Sequence, residues 1–211
     1  MNRKILVLVP IIGIFLFFLL YILAAYVYPG GSQVDKTEKG FSLLHNYWCD
    51  LLADKAKNGQ SNAAQPIAIS AMILLCASLV VFWYYLPKLF EPNIKNAKIM
   101  QRTGMSSMVI SAFLFTSYHD AVINLAGTLG IIALLLTFIN LYKSRFYKLF
   151  AVGVLCLMLC FFNYFIYETK IYLSLLAVTQ KISFVLFLGW LGVIDFYIYK
   201  KMEKEALILR G

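Results

Sequence analysis

Charge is what this chain has least of. Only 14% of its 211 residues are Asp, Glu, Lys or Arg, where a soluble globular domain carries about 25%. Hydrophobic residues make up 62%. A chain of this size has too much surface per unit volume to hide so much apolar mass from water, so a soluble domain is excluded and lipid is the solvent for most of it. Cysteine is scarce too: the four residues include no C-x-x-C pair, which indicates neither a disulfide framework, a zinc site nor a redox dithiol. No cofactor is implied. The net charge of +9 comes without the aromatic-interleaved basic face that stacks bases, so nucleic acid is not an expected partner.

What the chain does have is apolar runs. A helix needs about 20 apolar residues to cross about 30 Å of hydrocarbon. Six runs qualify or nearly do: 5–27, 64–86, 99–116, 121–142, 146–167 and 171–199. The third is the weakest, with Arg102 and Thr103 near its start. The first is too long for the apolar part of a signal peptide and no clean cleavage site follows it, so it reads as a retained span. Pro10 lies in its first turns as a tolerated kink, and Tyr28-Pro29-Gly30-Gly31 ends it as a turn.

Orientation follows from the basic residues. The two tails and the connections 87–102 and 143–148 hold thirteen Lys and Arg, whereas the alternate connections hold five: Lys36, Lys39, Lys55, Lys57 and Lys170. Positive loops stay inside, which places both termini in the cytoplasm. The expected fold is all-α: one domain over 1–211, a bundle of six transmembrane helices with a short interfacial helix outside. That outer helix is expected over Phe41–Ala53, where Phe41, Leu44, Trp48 and Leu51 or Leu52 recur near helical spacing. Ser42 is its expected cap, and Asn62 with Gln65 forms an expected capping box for the second span.

The outer segment also carries a resemblance. Tyr28-Pro29-Gly30-Gly31, Gly40-Phe41-Ser42, Asn46-Tyr47-Trp48-Cys49-Asp50-Leu51 and Asn58-Gly59-Gln60-Ser61-Asn62 resemble the start of bacterial multi-pass proteins similar to the domain of unknown function 998. More loosely, they resemble the Frag/DRAM/Sfk group of six-helix membrane proteins. The likeness covers residues 28–62; beyond it the six-span plan agrees. Relatives often carry Ser-Asp-Leu-Gly where this chain has Cys49-Asp50-Leu51-Leu52. The resemblance implies a six-helix fold and the bacterial inner membrane, and the eukaryotic cousins are linked with lipid handling.

Lys181 is the most informative single residue. It stands about ten positions inside the sixth run, about 15 Å of helix rise, close to the expected midplane. Lysine there costs at least about 2.5–3.5 kcal/mol on insertion scales and usually faces the interior of a bundle. Thr179, Gln180 and Ser183 surround it. Polar stripes accompany it on two other spans: Asp120, Asn124, Gly127, Thr128 and Ile131 on the fourth, and Cys156, Cys160, Asn163, Tyr164 and Tyr167 on the fifth. Such stripes are expected to turn away from lipid. Gly127, Gly130, Gly189 and Gly192 are expected packing positions, and Asp195 is expected to pair with Lys200 or a nearby loop.

Three functional readings follow. The leading one is an outward-facing polar cavity that binds a membrane lipid or another amphiphile, using Lys181, Gln180, Asn124, Asn163, Tyr164 and Trp48. The second is a membrane-embedded hydrolase in which His45, Asp50, His119 and Asp120 supply acid–base chemistry. No H-x-x-x-H or H-x-x-E spacing supports a metal. The third is a non-catalytic subunit or assembly factor with a membrane-protein partner.

Overall fold

The computed structural model describes residues 3–90 and 96–208. Among them the chain is all-α. A short turn of helix at Arg3–Leu6 leads into α1 (Val9–Tyr26), followed by α2 (Gln65–Tyr85), α3 (Ala97–Ser111), α4 (His119–Lys143), α5 (Tyr147–Thr169) and α6 (Leu173–Ile208). Five of these six, all but α3, are long and apolar enough to cross a membrane. In hydrocarbon a helix satisfies its own backbone polar groups, which is why such uniformly apolar segments take this form.

Two boundaries differ from expectation. Helix α1 restarts at Val9, so Pro10 sits in its first turn, where the missing N–H is no loss. The third run is helical only over 15 residues, about 22 Å of rise. It continues in tighter turns, with Phe113, Leu114 and Thr116 amides bonded three residues back.

The chain divides into two compact units. The first comprises 1–15, 73–153 and 189–211, and apolar packing dominates it. Gly104 and Gly153 are close-approach positions: a Cβ on Gly104 would lie 2.1 Å from the Trp83 ring, and one on Gly153 2.4 Å from Trp190. The expected packing glycines Gly127 and Gly189 have no neighbour within 4 Å of such an atom. Buried polar groups here bond mostly to main-chain carbonyls: Ser107 Oγ donates to Ala126 O, and Trp190 Nε1 to Leu149 O, both at 2.8 Å. Lys201 Nζ donates to Phe90 O at 2.9 Å and Leu89 O at 3.3 Å.

Asp195 corrects the expected pairing. It is fully buried, neither carboxylate oxygen has a hydrogen-bond partner among the described residues, and Lys200 pairs with Glu203 instead, at 3.6 Å. Leu191, Ile194 and Ile198, all buried on the same helix face, leave it no local donor.

The second unit comprises 16–72 and 154–188 and contains the outer segment. Gly30 and Gly31 make its first turn with φ of 136° and 79°, a region side chains avoid. A Cβ on Gly31 would stand 2.3 Å from Asn58 N. Over 41–53 only Trp48–Leu52 is helical, as a 3-10 turn. Leu51 and Leu52 are buried while Leu43 and Leu44 are exposed. Asn62 is not partnered by Gln65 in a capping box: its amide donates to Asp50 O, Leu51 O and Ala53 O, while Gln65 Nε2 reaches Leu52 O and Asp54 Oδ1.

Candidate functional site

The outer segment is organised around Asp50, whose side chain is 5% exposed. Its Oδ2 accepts from Tyr47 N at 2.8 Å and Asn46 Nδ2 at 3.1 Å. Gln33 Nε2 reaches both oxygens at 3.2 and 3.3 Å, and Lys57 Nζ lies 3.4 Å from Oδ1. A buried carboxylate is costly unless paired and hydrogen-bonded; here four residues supply donors.

Asn46 links this centre to α6. The side chain is fully buried, donates to Gly31 O and Asp50, and accepts from Ser42 N. Its main-chain carbonyl accepts from Lys181 Nζ at 2.5 Å. That amine also donates to Ala177 O at 2.7 Å and lies 5.4 Å from the centre of the Phe41 ring. The carboxylate of Asp50 is close enough to act on it electrostatically. Lys181 therefore clasps the outer segment to the last helix. Charge-assisted bonds of this kind contribute about 1.5–3 kcal/mol each.

Beside the clasp lies an aromatic cluster. The Trp48 ring is 4.8 Å from Tyr21 and 6.3 Å from Phe184, with Phe17 at 6.5 Å. Its main-chain N–H donates to Gln180 Oε1 at 3.0 Å, while its indole Nε1 is buried without an acceptor. Asn163 Nδ2 donates to Ser183 Oγ at 2.7 Å, and its Oδ1 is buried without a donor. Among the described residues, the Trp48 indole N–H and the Asn163 carbonyl are thus unmatched beside the polar centre, and Glu38 Oε2 is a further buried oxygen of this unit without a hydrogen-bond partner.

Of the six residues expected to bind a ligand, Lys181, Gln180, Trp48, Asn163 and Tyr164 belong to this unit, with Tyr164 half-exposed. Asn124 belongs to the other unit and lies on an exposed face of α4 with Gly127 and Thr128. That stripe was expected to turn inward. Thr128 removes part of the cost by donating to Asn124 O at 2.7 Å.

The four expected acid–base residues separate likewise. His45 and Asp50 lie in the second unit, His119 and Asp120 in the first. His45 Nδ1 faces Ser42 Oγ at 3.3 Å and Glu38 Oε2 at 3.6 Å. Both partners use one ring nitrogen, whereas a Ser–His–acid relay needs both nitrogens. His119 Nδ1 meets only its exposed neighbour Asp120 at 3.3 Å among the described residues. Burial and the adjacent Asp50 carboxylate push the Cys49 thiol up to about 11, so it is not an activated nucleophile. Burial likewise raises the Tyr28 and Tyr47 phenols. Among the described residues, no three His, Cys, Asp or Glu side chains gather closely enough to hold a metal ion.

Sequence reasoning missed Gln33, Lys57 and Asn62 as parts of the centre. The i, i+4 spacing of Asn46 and Asp50 was the available signal for the Asn46 contact. Nothing local pointed to Gln33, seventeen residues away.

An all-α chain with several apolar helices of membrane-crossing length, carrying a hydrogen-bonded polar segment, is compatible with an integral membrane protein. No family model, no curated protein and no solved structure matches it.

Proposed function

We propose that this chain is a six-span integral membrane protein with both termini in the cytoplasm, and that its outer polar centre binds a lipid or another amphiphile. The charge asymmetry of the connections supports the topology. The turns after α3 lengthen the shortest helix toward a full crossing. Kinship with the domain of unknown function 998 proteins, carried by residues 28–62, belongs to the same proposal, as does the bacterial inner membrane.

One observation carries the binding reading. The Lys181 amine, the unmatched Trp48 indole N–H and the unmatched Asn163 carbonyl belong to one compact unit, beside aromatic surface. Lys181 spends two N–H groups on carbonyls and keeps a third for an acceptor. An amphiphile with an anionic or carbonyl-bearing polar end fits that set, its apolar part meeting the accessible edge of Phe184.

The test compares retention of anionic and zwitterionic phospholipids by purified wild type, Lys181→Met and Lys181→Arg, with thermal melting of each. Tenfold weaker retention of anionic lipid by Lys181→Met, recovered in Lys181→Arg, supports the role. Equal retention by all three rejects it. If Lys181→Met fails to fold, Trp48→Phe, which keeps an aromatic ring but removes the indole N–H together with the five-membered ring, takes its place with the same two outcomes.

A further inference from the structure

Contacts in the second unit tie one turn of α6 to the same level on three other segments. Trp48 of the outer segment bonds Gln180 and touches Phe184. Tyr21 and Phe17 of α1 touch Trp48 in turn, and Phe17 stacks on Phe184 at 6.3 Å. Asn163 of α5 bonds Ser183. Residues 180–184 span about one helical turn, roughly 6 Å, so all these side chains share a thin layer.

Polarity changes across that layer along α5 and α6, whereas α1 stays apolar on both sides of it. On α6, Thr179, Gln180 and Lys181 give way to Val185 and Leu186, both exposed and apolar. On α5, Met158 and Phe161 are exposed on one side of Asn163, and Tyr164, Tyr167 and Glu168 on the other. The Lys170 amine lies 4.0 Å from the centre of the Tyr167 ring. Exposed tyrosines with a lysine among them are what the headgroup zone selects, because each has an apolar body and a polar tip.

We infer that the belt formed by Tyr164, Tyr167, Lys170 and Tyr172 is an interaction surface for outer-leaflet phospholipid headgroups, which meet the protein level with Trp48 and Lys181. Lysine supplies the charge that complements a lipid phosphate, and the phenols supply donors to phosphate and ester oxygens. Lys181 then lies at the membrane surface, not at the midplane expected from the sixth run. The first eight residues of α6 stand about 12 Å proud of the hydrocarbon. The length of α6 agrees. Its 36 residues rise about 54 Å, far more than the hydrocarbon of about 30 Å. Twenty residues below Lys181, about 30 Å, the helix reaches Lys200 and Lys201.

This inference rests on the membrane-spanning part of the proposed function and not on ligand binding, so the two fail separately. The full chain carrying Trp83→Phe and Trp190→Phe keeps Trp48 as its single tryptophan. It is reconstituted in phosphatidylcholine vesicles containing lipids with a nitroxide on the headgroup, on the upper acyl chain, or near the acyl terminus. Headgroup and upper-chain labels are expected to quench Trp48 at least twice as strongly as the terminal label. Strongest quenching by the terminal label overturns the inference, and so does insensitivity to all three. If the double variant does not fold, a spin label on Tyr164→Cys, in a chain whose four native cysteines are replaced by serine, reads the same depth. Comparable relaxation by oxygen and by a water-soluble nickel chelate supports the placement, and relaxation by oxygen alone overturns it.

Discussion

The two units of this chain hold themselves together by different means, and each contains one ionisable group that shows the difference. In the unit carrying the outer segment, side chains are spent on main-chain carbonyls and on a single carboxylate. Lys181 bonds Asn46 O and Ala177 O, and Asp50 takes donors from Gln33, Asn46, Tyr47 and Lys57. In the other unit, packing against glycine and aromatic surface does most of the holding, and Asp195 sits fully buried with neither oxygen matched. A loop has no repeating backbone ladder to satisfy its polar groups, so its side chains must do so. A helix satisfies its own backbone, and its buried faces are free to be apolar. Asp50 is therefore structural in the first setting and Asp195 a cost in the second.

The comparison breaks most readily at Asp50. Replacing it with Ala strands four donors around a buried site, and the expected loss is about 3–5 kcal/mol, read as a lower melting temperature or loss of folded protein in detergent. A melting temperature within two degrees of wild type would mean that the network is ornamental. Next in size is Lys181→Met, which removes the charge-assisted bond to Asn46 O that holds the outer segment and should cost about 1.5–3 kcal/mol. Limited proteolysis should then cut the outer segment faster while the helices survive. Uniform unfolding instead would show that the clasp holds more than this segment.

On the other side of the comparison, Gly153→Leu forces a side chain into Trp190 and Phe138 and should cost about 1–3 kcal/mol. The same thermal melt reads it. Asp195→Asn should act in the opposite direction. Replacing a buried, unpaired carboxyl while keeping the shape is expected to raise stability by about 1 kcal/mol; a clear loss would mean that the carboxyl has a partner in the folded protein. The smallest effect is kinetic. With the Cys49 thiol pushed up to about 11, a smaller fraction is thiolate at any lower pH. In a variant retaining only this cysteine, alkylation at pH 8 should be about a hundredfold slower than for a free thiol and should accelerate as pH rises toward 11. Ordinary reactivity at pH 8 would show the outer segment to be open around Trp48–Leu52.

Much of the helical plan was legible in the chain itself. Runs such as 121–142 and 146–167 are uniformly apolar over more than the crossing length, and helix is the form that satisfies the backbone in lipid. The site was less legible. Lys181 stood out because a lysine among apolar residues is rare, but its partner is a main-chain oxygen, and every residue has one. Asp50 was noticed as a possible acid, while of its four donors Asn46 stands at a helical spacing from it, and Gln33 and Lys57 carry no local mark. The outer segment read as an amphipathic helix because Phe41, Leu44, Trp48 and Leu51 recur near the right period. Its polar groups instead found partners in the 28–33 turn and at Asn62, and only Trp48–Leu52 stayed helical. Of the glycines expected to mediate packing, Gly127 and Gly189 sit in open positions while Gly130 faces Ser107, and Gly104 and Gly153, with no repeat to mark them, lie under tryptophans.

Composition by itself made this chain compatible with an integral membrane protein, because 62% hydrophobic residues against 14% charged is far from the balance of a soluble domain. It also determined where helices form, since hydropathy acts over a whole segment and survives changes in any one position. Only the tertiary structure decided that Lys181 binds the outer segment, that Asp50 is saturated with donors and that Asp195 has none. Hydrogen bonds are directional and reach about 3 Å, so their partners depend on where distant parts of the chain come to rest, which no local pattern encodes.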